Sequence, residues 1–123
     1  MHEIWRDREY KSSMNPYFDK EDLKKFGEIG KNAPKLAEKF FDWYSEVFKD
    51  GALSEREKAL IALAVAHATQ CPYCIDAYTT ACLEKGSDLD QMTEAVHVAS
   101  AIQGGACLIH GVQMRGHAER LGM

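Results

Sequence analysis

Ala59-Leu60-Ile61-Ala62-Leu63-Ala64-Val65-Ala66-His67-Ala68-Thr69-Gln70-Cys71-Pro72-Tyr73-Cys74 is the stretch on which the fold turns. Its first eight residues are apolar at every position, which suits a helix enclosed by other helices rather than one lying on a surface. Ser54-Glu55-Arg56-Glu57 just upstream is a capping-box pattern and starts that helix. Cys71-Pro72 starts the next one, because proline at the first helical position loses no hydrogen bond. With Cys71 as N-cap and Pro72 at N1, Cys74 falls at N3, where unpaired backbone N–H groups and the helix dipole favour a thiolate. Three residues of helical rise span about 4.5 Å, within reach of a disulfide, whereas Cys82 lies about 12 Å beyond Cys74 and cannot resolve it.

Working outward, Lys85-Gly86 closes this helix with a cation and a left-handed cap, and Asp88 with Gln91 opens a fifth, expected to run to Gly104-Gly105. A sixth is expected over about 106–121. Upstream, a first helix is expected over 20–31, and a second from Pro34, capped by Asn32, to about Lys49. In that second helix Leu36, Ala37, Phe40, Phe41, Tyr44, Val47 and Phe48 follow the spacing of one apolar core face. Residues 1–18 carry Trp5, Tyr10, Tyr17 and Phe18 without a period and read as an arm lying over another surface, followed by one all-α domain of about six helices over 19–123.

Composition narrows the function. The 123 residues are 46% hydrophobic and 28% charged, which predicts one packed soluble domain. The net charge of −4 offers no basic stripe for nucleic acid. Of the 34 charged residues 25 lie in positions 1–58, and 95–114 hold none. A span of that length raises a membrane crossing, but His97, Gln103, Gly104, Gly105, His110 and Gln113 interrupt it, and a buried helix pair is the better expectation. Nothing at the start resembles a secretory signal, so a cytoplasmic location without a membrane is expected.

In that setting the four cysteines point to redox chemistry, metal binding or burial rather than a disulfide framework. For Cys71 and Cys74, thiol redox stands against half of a zinc site completed from His67, His97, Cys107 and His110, and against inert packing. Cys82 and Cys107, set among Ala, Leu and Ile, read as small buried hydrophobes. His67, His97 and His110 are candidate bases, and Tyr78, one turn beyond Cys74, is placed to hydrogen-bond its sulfur. Glu57 is accounted for by the capping box.

From Leu53 to Leu83 the order of cap, Ala-rich helix and Cys-x-x-Cys at the next helix start resembles the alkylhydroperoxidase D-like, or carboxymuconolactone decarboxylase, family of small all-α oligomers. The resemblance covers most of 20–115. It implies a peroxidase in which Cys74 attacks a small hydroperoxide and Cys71 resolves the sulfenate, with an external, thioredoxin-like dithiol as reductant, no organic cofactor, and a homotrimer or homohexamer. The family's peroxidase motif has a glutamate twelve residues before the first cysteine and a histidine four after the second; here these are Ala59 and Tyr78. His67 through Cys74, with Glu94-Ala-Val-His97 and Gly104 through Gly111, resembles a peroxidase-like subgroup associated with arsenosugar biosynthesis. The alternative is a non-enzymatic module that senses redox state or holds zinc.

Overall fold

The computed structural model describes residues 18–122. Their elements are α1 (Lys20–Lys24), a 3-10 helix (Phe26–Asn32), α2 (Pro34–Val47), α3 (Glu55–Ala68), α4 (Pro72–Glu84) and α5 (Leu89–Arg120), with no strand among the described residues. The all-α expectation holds; the proposed arm lies, apart from Phe18, outside the described residues. The described residues group into two compact units divided after Lys49.

In the first unit the chain differs from the expected 20–31 helix. It leaves the α conformation at Lys25 and winds on as a 3-10 helix containing Gly27 and Gly30, poor α-helix formers. The N-cap of α2 is Ala33, not Asn32, and it makes no side-chain cap bond; Pro34 supplies the start. The apolar face of α2 is not a fully buried core. Phe41 meets Phe26 edge-on at 5.2 Å and Tyr44 stacks toward Phe48, while Leu36 and Trp43 stay exposed.

Gly30 has a steric role there, because a Cβ on it would stand 2.6 Å from the Ala37 Cβ. Gly30→Ala is expected to cost about 1–3 kcal/mol through this clash. Gly27→Ala, with open space at the same atom, serves as the control. Equal urea midpoints for the two variants would refute the steric account.

The second unit contains the cysteine pair. Ser54 and Glu57 form the expected capping box at α3, and Asp88 and Gln91 form the one at α5. Between α3, α4 and α5 the core consists of Ala59, Leu63, Cys82 and Met92, with Leu60, Tyr78 and Ala81 packed against it. Ala59 thus fills core space at the position where the family motif has a glutamate. Enclosure of α3 is only partial: Leu63 is 2% exposed, but Ile61 and Val65, on the far side, are 50% and 53% exposed.

The largest departure is α5. No break occurs at Gly104-Gly105, and one helix replaces the expected fifth and sixth. Two glycines cost about 1 kcal/mol each relative to alanine, but no proline follows them and neither takes a positive φ, so nothing ends the helix. The buried pair expected over 95–114 is therefore a single helix that exposes Val98, Ile102, Leu108, Ile109 and Val112. By length and composition alone α5 could cross a membrane.

Candidate thiol site at the elbow between α3 and α4

Residues 69–71 form an elbow that the backbone holds from both sides. At the end of α3, Gln70 N donates to His67 O at 3.1 Å and Cys71 N to Ala66 O at 3.0 Å, the two bonds of a Schellman motif. Gln70 occupies the left-handed position at φ 55°, which glycine fills in the equivalent motif at Gly86. Cys71 is at once the residue closing that motif and the N-cap of α4, its Sγ accepting the Cys74 N–H at 3.3 Å. Its backbone is thereby fixed on both sides.

The two thiols are free and half-buried, with sulfurs 2.7 Å apart. Cys74 sits at N3 as expected, where its backbone N–H donates to the Cys71 sulfur and also favours its own thiolate. Burial, then the hydrogen bond with Cys71, then the charge Cys71 carries once ionised push the Cys74 thiol from 9.0 up to about 11. The expected net thiolate stabilisation at Cys74 is thus outweighed.

His67, in the last turn of α3, has Nδ1 2.8 Å from Leu63 O. A carbonyl only accepts, so Nδ1 is the donor in this pair and Nε2 is the ring nitrogen not engaged in it. His110 has the same arrangement, Nδ1 to Ala106 O at 2.6 Å, on the exposed part of α5. His97 is exposed on α5. Tyr78 packs against the core cluster. Cys82 is fully buried as expected, whereas Cys107 is exposed, because the helix pair that was to bury it is a single helix. Among the described residues no group of three or more His, Cys, Asp or Glu side chains is arranged to hold a metal ion. Glu57 accepts the Ser54 N–H at 2.9 Å, and that bond keeps its carboxyl below the usual range.

Sequence reasoning gave Gln103 no role beyond interrupting an apolar run. In the structure its Nε2 donates to Ala68 O at 2.8 Å, tying α5 to the last residue of α3, next to His67. The unpaired carbonyls at a helix end were the available signal, but the partner lies 35 positions away.

With this geometry established, comparison with known proteins gives a consistent picture. The family model described as "Carboxymuconolactone decarboxylase family" matches residues 34–114. A Paracoccus denitrificans protein, described as "Uncharacterized protein 4 in cox locus", is 39% identical over 84 residues, 68% of this chain and 76% of that one. Among crystal structures, a Methanobacterium thermoautotrophicum protein superposes with a TM-score of 0.67 at 30% identity, covering 70% of this chain and 97% of its own. A carboxymuconolactone decarboxylase family protein from Legionella pneumophila gives 0.63 at 29% identity, covering 76% and 83%. A Thermotoga maritima structure, at 0.56 and 23% identity over 76% of this chain and 88% of its own, shares the fold.

Proposed function

The chain belongs to the carboxymuconolactone decarboxylase family, whose members include decarboxylases and alkylhydroperoxidase-like enzymes, and within it we propose a thiol-dependent peroxidase. The observation that supports this reading is the reduced Cys71–Cys74 pair, 2.7 Å apart at a doubly fixed helix start. A decarboxylase has no need of two adjacent thiols, and a zinc-holding module would need ligands that are not grouped here among the described residues.

In this reading the Cys74 thiolate attacks one oxygen of a small hydroperoxide. The O–O bond breaks, the sulfur is oxidised to sulfenic acid, and the alcohol leaves after taking up a proton. The Cys71 thiolate then attacks the sulfenic sulfur, the S–O bond breaks, and water leaves as the disulfide forms. The balance is two thiols and one hydroperoxide giving one disulfide, one alcohol and one water. A thioredoxin-like dithiol returns two electrons and two protons. His67 Nε2 is our first choice of base for the Cys74 proton, followed by His110 and His97.

Thiol titration of metal-stripped protein, with and without hydroperoxide, tests the reading. Two thiols should vanish per hydroperoxide consumed, with no intermolecular crosslink. Undiminished thiols, or activity that needs stoichiometric zinc, would reject it.

We further propose that copies of this chain, as a homotrimer or homohexamer in the cytoplasm, cover the apolar surface of α5. Leu108 is 79% exposed in the single chain, and a Cβ at Gly104 or Gly105 would meet nothing within 4 Å, leaving room for a close helix partner. Light scattering at micromolar concentration should show an oligomer without detergent. A monomer would refute the assembly, and recovery only from the membrane fraction would assign the surface to lipid.

A further inference from the structure

We propose that Gln103 is a positioning residue of the thiol pair, acting through the elbow between α3 and α4. The inference rests on the thiol-redox reading above and adds a residue to it. Ala68 is the last residue of α3, and the Schellman bonds at this end go to the Ala66 and His67 carbonyls, not to its own. Thr69 Oγ1 likewise donates to Val65 O and Ala66 O. The Ala68 carbonyl takes the Gln103 amide, which lies within the charge-free stretch 95–114.

That bond has a mechanical consequence. The elbow carries strain, since Gln70 takes a left-handed conformation that costs a residue with a Cβ about 1 kcal/mol or more. Strained backbone persists only where its surroundings fix it. α5 packs along α3 from Met92, in the cluster with Ala59 and Leu63, up to Gln103 at Ala68, so it acts as a splint that the amide pins to the helix end. Gln70 and Cys71 follow directly. With the pin in place Cys71 is held where its sulfur meets Cys74. Without it the elbow relaxes, and the concentration that one thiol presents to the other falls.

The equilibrium with glutathione reads that quantity. Protein dithiol plus oxidised glutathione gives protein disulfide plus two reduced glutathione molecules, and the constant scales with the proximity of the two thiols. Gln103→Leu removes the donor, and Gln103→Glu replaces it with a carboxylate of the same shape that cannot donate. Both should lower the constant about 5- to 10-fold, tenfold being roughly 30 mV. Gln103→Lys restores a donor suited to a helix C-terminus and should return it to within about twofold of wild type. A merely structural role would lower the urea midpoint of the Leu and Glu variants and leave the constant unchanged in all three while they remain folded. Should Gln103→Leu fail to fold, the Glu and Lys variants of this exposed position carry the comparison. Constants within about twofold of wild type for Leu and Glu, or no recovery with Lys, would overturn the assignment while leaving the redox reading intact. A wild-type protein that forms no intramolecular disulfide at any glutathione ratio would remove the redox reading itself, and this inference with it.

Discussion

Cys74→Ser protein is expected to lose hydroperoxide consumption by at least about 10³-fold, because a serine hydroxyl is too weak a nucleophile to replace a thiolate in attack on a peroxide. Cys71→Ser should behave differently. Cys74 would still be oxidised once, and with no partner thiol its sulfenic acid would persist, trapped by a 1,3-dione and visible as one added oxygen in the mass of the untrapped protein. Steady turnover with a dithiol reductant should fall in both variants; only Cys71→Ser should give the trapped adduct. The opposite pattern, an adduct on Cys71 in the Cys74→Ser protein, would assign the attack to Cys71, the sulfur that accepts the helix-terminal N–H at 3.3 Å. Loss of thiols at wild-type rates in both variants would leave the pair a packing feature.

The parts of this site legible in the sequence are those set by bonds between near neighbours. Ser54 and Glu57 three residues apart, Asp88 and Gln91 likewise, and Cys71 before Pro72 each satisfy backbone groups within one turn, so residue type and spacing suffice. Gly86 after Lys85 belongs with them, as a positive φ follows from the glycine itself. The elbow was less legible, because Gln70 takes a conformation that its side chain disfavours and only the two helices around it impose. The absence of the expected break at 104–105 and the exposure of Cys107 share one cause. Apolar composition says that a surface must be covered, not by what, and a pattern read as two helices burying each other is equally that of one helix awaiting a partner. Gln103 to Ala68 is the extreme case, a pairing fixed by the packing of α5 on α3 with no local signature.

Proton affinity at Cys74 carries the second large effect. A rise from 9.0 to about 11 makes its thiolate about 100-fold scarcer at neutral pH than that of an ordinary cysteine. Alkylation of Cys74 in the reduced protein should accordingly climb about tenfold per pH unit past pH 9 and level off only near 11. Cys71→Ala removes the hydrogen bond and the neighbouring charge but leaves burial, the largest cause, so the curve should move down and stop short of 9.0. The sign of the stability effect follows. A thiol raised in the folded state binds its proton more tightly there than in the unfolded chain, so the contribution is complete below pH 9 and is lost as pH rises through 9 to 11. Urea midpoints should decline over that window in reduced wild type more steeply than in Cys74→Ala. Such a thiol attacks a peroxide at neutral pH only if a base takes its proton as the bond forms, the role proposed for the His67 Nε2, which the Leu63 bond does not engage. In His67→Gln peroxide turnover at neutral pH should fall about 10²-fold or more, while Cys74 alkylation, whose curve reports the resting thiol, should move little. Unchanged turnover would make His67 a capping residue of α3 and pass the proton to His110 or His97, both on α5, where the corresponding glutamine variants repeat the test.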